Sequence, residues 1–199
     1  GHNVEQTITL HNVDHYMMNG VPNTAFTEAI AFLFQARDIQ LLDLEEGSSQ
    51  KQHLLALDNL WSAYEIMGVS LVDMNVWKWM YENPNATKGE LKEAVVRIAK
   101  EVWNEYYADV LGEEDSPILA IYSHMISSPL YLSAYPVGNL IHFQIEQHIQ
   151  DKNLAEEITR MLEQGRLTPQ LWMKGAVGKD ISNEPLLKAS EKALDVVEE

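Results

Sequence analysis

Three groups of residues have the type and spacing to do chemistry. Glu28 lies in the run Asn23 to Phe34, "NTAFTEAIAFLF". Its neighbours at helical spacing, Thr24, Ala25, Ala31 and Phe32, are small or apolar, and none is a Lys or Arg that could pair with it. Two readings stand: a first-turn acid interacting with the helix dipole, or a buried carboxylate paired with a metal or a cation. The second group lies in "IYSHMISSPLYLSAYPVG", Ile121 to Gly138, where His124 precedes Tyr131, Ser133 and Tyr135. A helix would put Tyr131 and Tyr135 on one face. An imidazole and two phenol hydroxyls close together suit a developing oxyanion; the alternative is a core Tyr pair with an incidental His. The third group is "LHNVDHYMM", in which His11 and His15 stand four apart, as metal ligands on one helix do. Asn12 occupies the place of a catalytic Glu, and the alternative is two surface or supporting histidines.

The elements that must position these groups are helices. No run alternates polar and β-branched residues long enough for a strand. "GHNVEQ" at the start runs directly into a helical pattern. Ala25 to Leu44 carries a helix-period stripe of Ala29, Ile30, Leu33, Ala36 and Leu41. Gln52 to Tyr81 reads as a long helical region with a break near Gly68. Thr87-Lys88-Gly89-Glu90 is a capping box, starting a helix to about Val110 that Gly112 ends. Ser116-Pro117 and Thr168-Pro169 are helix starts in which a cap precedes proline. Helices over Leu130 to Gln150, Leu154 to Glu163 and Pro185 to Val197 complete the set. Thr9 to Pro22, Glu46 to Ser49, Glu82 to Ala86 and Gly175 to Asn183 read as irregular, none long enough to be a linker. With no internal repeat, the expectation is one all-α domain over residues 1–199.

Composition narrows the function classes. The 199 residues hold 14 Lys and Arg against 30 Asp and Glu, a net charge of −16. That balance argues against a nucleic-acid partner, whose phosphates need clustered cations. No uncharged apolar stretch is long enough for a membrane span; the best, Ile66 to Trp79, is interrupted by Asp73 and Asn75. Cysteine is absent, which removes disulfides and thiolate metal sites.

In their order along the chain, these pieces resemble the gluzincin zinc oligopeptidases of the thimet oligopeptidase and oligoendopeptidase F kind. That family carries His-Glu-x-x-His on one helix and a third zinc ligand, a Glu, roughly two dozen residues further on. Gly1-His2 matches the last two residues of the family's His-Glu-x-Gly-His form, and Glu28 follows His2 by 26 residues. The His, then Tyr-x-Tyr-x-Tyr-x-x-Gly of the family is matched by His124 and Tyr131 to Gly138, with Ser133 in place of the middle Tyr. Met161 to Val197 resembles the family's closing segment.

The resemblance implies His2 and Glu28 as zinc ligands. It implies His124, Tyr131 and Tyr135 as groups that bind substrate and stabilise the tetrahedral intermediate, and gives Ser133 no role. The fold it implies is the multi-helix C-terminal part of a zincin-like catalytic domain. The motif's first His and its catalytic Glu would precede Gly1. The expectation is therefore the C-terminal portion of a longer zinc metallopeptidase, inactive by itself, with zinc binding weak or absent. Its partners would be a peptide substrate and the missing N-terminal portion of the same protein, whose loss exposes apolar surface and favours self-association. The competing readings are a non-catalytic helical interaction or peptide-binding domain, and a catalytically dead relative kept for binding. The three residues before Gly1 separate them.

Overall fold

Helix-period apolar residues with recognisable end signals become helices nearly everywhere they occur. The computed structural model describes residues 1–41 and 49–198, and among these every regular element is helical. The ten α-helices are α1 (His2–Asn12), α2 (Thr24–Leu41), α3 (Ser49–Glu82), α4 (Lys88–Tyr106), α5 (Ala108–Leu111), α6 (His124–Ser127), α7 (Ala134–Ile149), α8 (Leu154–Leu162), α9 (Pro169–Val177) and α10 (Glu184–Glu198). Short 3-10 turns at Tyr16–Met18 and Ile118–Ala120 join them. The chain packs as two compact units, Gly1–Trp61 with Val137–Glu199, and Ser62–Pro136. The expected end of the second helix at Leu44 and the irregular piece from Glu46 fall, Ser49 apart, outside the described residues.

In the first unit α1 packs on α2 and α8, and α8 packs on α9. The stripe predicted for α2 buries Ala29, Ile30 and Leu33, while Ala36 is exposed. Phe26 meets Trp172 of α9 edge-on at 5.1 Å, and Ile141, Ile145, Ile158, Met161, Leu162 and Met173 of the same unit are fully buried. Each such side chain contributes about 1.5–3 kcal/mol of burial. Asn153 caps α8 by accepting from the Glu156 N–H at 3.2 Å. Thr168 precedes Pro169 at the start of α9, as the sequence predicts, although its side chain makes no cap bond.

In the second unit the core is Val69, Val72 and Val76 of α3 against Ile98, Ala99, Val102 and Trp103 of α4, closed by Tyr107, Leu119, Met125 and Leu132. The capping box forms: the Glu90 N–H donates to Thr87 Oγ1 at 3.3 Å and the Thr87 N–H to Glu90 Oε2 at 2.7 Å. The helix it starts is interrupted at Tyr107 and ends at Gly112, whose φ of 72° is the left-handed conformation expected of a terminating glycine.

Several boundaries differ from the sequence reading. The α1 helix continues to Asn12, past the predicted irregular start at Thr9, and α9 continues to Val177, past Gly175. Ser116-Pro117 starts only the three-residue 3-10 turn Ile118–Ala120, whose N-cap is Pro117 with no side-chain cap bond, and a nucleus that short does not propagate. The helix predicted from Leu130 begins at Ala134. Leu130 has φ of 60°, a left-handed conformation that no helix continues through. At Gly68 the α3 helix runs on without a break, with a side chain inserted in its hydrogen-bond ladder. The Gly68 N–H donates to Tyr107 Oη at 2.8 Å, and that hydroxyl donates to the Tyr64 carbonyl at 2.5 Å.

Candidate functional site

The first cluster is built by close backbone approach in the first unit. A Cβ on Gly1 would stand 2.4 Å from Ala31 Cα, so α1 begins pressed against α2. Gly138 of α7 lies on the other side: its Cβ would meet the Ala25 carbonyl oxygen and Glu28 Cβ at 3.0 Å. Glu28 is thereby enclosed, with its side chain 6 % exposed, and His2 at the start of α1 is half exposed beside it. His2 Nε2 and Glu28 Oε2 are 4.0 Å apart. Glu28 is a buried carboxylate, 5 % exposed as a whole residue.

Glu5, one turn after His2, is the second acid here. It is 4 % exposed, and its Oε2 has no hydrogen-bond partner. Burial pushes its carboxyl above the usual range; the Thr27 hydroxyl and the charges of His2 and Arg166 act the other way, and Glu28 adds to the rise. Further along the same unit Glu146 accepts from both terminal nitrogens of Arg37, the Nη2–Oε2 distance being 3.0 Å. His142 Nε2 lies 3.5 Å from the same carboxylate. Burial alone would raise the Glu146 pKa, but His142 and the hydrogen-bonded Arg37 charge outweigh it and hold it at about 2.

The second cluster lies in the second unit, where His124 opens α6 and Tyr135 sits in the first turn of α7. The His124 ring stacks on Tyr131 with centroids 5.9 Å apart and meets Tyr135 edge-on at 6.2 Å. Tyr131 and Tyr135 are 5.5 Å apart. The three residues come together as expected but by another route. Tyr131 stands in the turn before α7, so the Leu130 bend, not a shared helix face, brings it to Tyr135. Tyr122 joins them, its hydroxyl donating to Glu65; burial first, then that carboxylate, pushes its phenol up to about 12.

Beneath this cluster lies a group that sequence reasoning did not single out. Asp73 is fully buried in the middle of α3, and neither carboxylate oxygen has a partner at hydrogen-bond distance and geometry. Trp77 Nε1, one turn on, and His124 Nδ1 are likewise buried and unpartnered. Burial pushes the Asp73 carboxyl up, offset in part by the Leu130 and Leu132 backbone, the charge of His124 and the Trp77 indole. Each polar group buried without a hydrogen bond costs about 1–3 kcal/mol, more for a charge. The only sequence signal was an Asp interrupting an apolar stretch; for Glu5 it was an acid one turn from His2.

His11 and His15 do not share a helix face. His11 is exposed in the last turn of α1, whereas His15 lies beyond that helix, stacks on Tyr16 at 5.4 Å and accepts the Met17 N–H through Nδ1 at 3.2 Å. The structure thus brings His2 to Glu28 in one unit and His124, Tyr131 and Tyr135 together in the other.

One imidazole and one carboxylate suit Zn²⁺, and tetrahedral bonds of about 2.0–2.2 Å put two donor atoms about 3.3–3.6 Å apart. The 4.0 Å gap between His2 and Glu28 is about half an ångström wider, so the half-exposed His2 side chain would move in to share a metal with Glu28. Among the described residues no group of three or more His, Asp and Glu side chains converges as a complete metal site. No helix among them is long and apolar enough to cross a membrane. No protein-family model, no curated protein and no solved structure matches this chain.

Proposed function

We propose that this chain is the C-terminal part of a zinc-dependent metallo-oligopeptidase, with His2 and Glu28 as two of three zinc ligands. The observation that carries the reading is the His2–Glu28 pair. Residues 26 apart in sequence meet at 4.0 Å, and the acid's side chain is only 6 % exposed. On this reading the remaining ligand and the general-base Glu stand in the three positions before Gly1. Bound Zn²⁺ would supply an acidified water as the nucleophile at neutral pH.

The protein's own groups do the rest. Enclosure between α1 and α7 holds the Glu28 carboxylate in one place, and a fixed ligand preserves the geometry that the reaction requires. By the resemblance, the Tyr131 and Tyr135 hydroxyls, and the Nε2–H of His124 in its imidazolium form, are the groups that would donate to the scissile carbonyl oxygen as it gains charge. Losing one such donor lowers turnover by about 10²–10³-fold. Ser133 takes no part. Without the general base the chain alone does not turn over peptide, and metal-dependent hydrolysis by it would contradict the proposal. The coding sequence immediately upstream of the Gly1 codon is the simplest test. His, Glu and any third residue are expected there; another triplet favours the non-catalytic readings.

A further inference from the structure

We infer that Asp73 is a positioning residue for His124: its carboxylate accepts the ring's Nδ1–H and leaves Nε2 as the edge that meets a substrate. The stoichiometry points to it. Two buried N–H donors, Trp77 Nε1 and His124 Nδ1, lack partners at hydrogen-bond distance and geometry, and so do both oxygens of Asp73, the buried carboxylate on which the Leu130 and Leu132 backbone, the His124 charge and the Trp77 indole all act. A carboxylate has about four acceptor sites, so Asp73 can take both donors beside the Leu130 and Leu132 backbone, and buried polar groups in folded proteins are nearly always satisfied. Trp77 follows Asp73 by one helical turn, so both rise from the same face of α3. The third component arrives on another element, as His124 opens α6.

The position of Asp73 also fits a role in setting the site's shape. The Leu130 and Leu132 backbone faces its carboxylate, and Leu130 is held at φ of 60°. Tyr131, between them, stacks on His124. One fixed carboxylate therefore lies against both the turn that presents Tyr131 and the imidazole that Tyr131 covers. Asp73 touches no substrate on this view; it acts through His124. A carboxylate that accepts from Nδ1 fixes which ring nitrogen carries the proton and how the ring is turned. What Nε2 then does rests on the peptidase reading, whereas the Asp73–His124 link does not.

The test reads the ring directly and needs neither zinc nor peptide. The nitrogens of His124 are observed by NMR in the ¹⁵N-histidine-labelled chain, and the signal is assigned by its loss in His124→Gln. In neutral His124 the proton is expected on Nδ1, opposite to the Nε2–H form that a free imidazole side chain prefers. Asp73→Leu, which removes both acceptor oxygens but keeps an apolar shape of similar size, is expected to abolish the Nδ1–H population. An Nε2–H ring in the unsubstituted chain overturns the inference, as does an Nδ1–H ring that Asp73→Leu leaves unchanged. If Asp73→Leu does not fold, the tautomer of the unsubstituted chain decides alone. Loss of the peptidase reading with Nδ1–H intact leaves Asp73 as the partner of His124 in a binding site.

Discussion

A single carboxylate shows how charge is managed in this acidic chain. Glu146 is held at about 2 by His142 and by the hydrogen-bonded Arg37. Its pKa is lower folded than unfolded, so its stabilising contribution is fully present above the unfolded value near 4.5 and is lost as pH falls through about 2. Glu146→Gln is expected to lower stability at neutral pH by about 1–2 kcal/mol, between the values for exposed and buried pairs. Urea midpoints of the two proteins should converge as pH falls from 4.5 toward 2; a constant gap would contradict the assignment. Some residues were legible because their sequence neighbours set their surroundings. Apolar neighbours at helical spacing marked Glu28 as a carboxylate to examine. Asp73 and Glu5 were not legible, because the groups that act on them include His124 and Arg166, far along the chain.

Helix types and most helix ends could be read directly, since caps and glycines act through neighbouring residues. The Thr87 box, Gly112 and the Thr168-Pro169 start are all local chemistry. The errors lie where distant groups intervene. The Leu130–Ser133 pattern is helical in period, yet the turn carrying Leu130 packs by the α3 carboxylate Asp73 and α7 starts later. Gly68 raised the expectation of a break, and what stands there is the Tyr107 hydroxyl, inserted between the Gly68 N–H and the Tyr64 carbonyl. Gly68→Ala sets two effects against each other. Helix propensity favours Ala by about 1 kcal/mol, but its Cβ would stand 2.2 Å from Tyr107 Oη and 2.6 Å from the ring. Overpacking of that kind costs about 1–3 kcal/mol, and displacing the hydroxyl also breaks both of its hydrogen bonds. The expected net result is a loss of roughly 1–3 kcal/mol in urea unfolding. Tyr107→Phe should not rescue the variant, because the ring itself is in the way. A Gly68→Ala protein more stable than the unsubstituted chain would refute the insertion.

At the scale of the molecule, the all-helical class follows from periodicity alone, whereas the division into two units has no boundary signal in the sequence. It falls inside α3 and at the start of α7, where the helical pattern is continuous. Large apolar side chains stay exposed in each unit: Leu10, Tyr16 and Met17 in the first, Ile118, Ile121 and Ile126 in the second. Exposed apolar surface favours association, and a net charge of −16 opposes it through repulsion that salt screens. Light scattering should therefore show a mass that rises with protein concentration and with salt. A monomer under every such condition would contradict this.

Zinc binding tests the His2–Glu28 site most directly. Calorimetric titration would compare the chain, the chain extended by His-Glu-Phe before Gly1, and the extended chain carrying Glu28→Gln. One Zn²⁺ per extended chain is expected, bound at least about 100-fold more tightly than by the unextended chain. Glu28→Gln should lower that affinity by a similar factor, since changes outside the ligands alone cost about 10–100-fold. An extended chain that gains no affinity, or whose zinc binding ignores Glu28→Gln, would contradict a shared metal at His2 and Glu28.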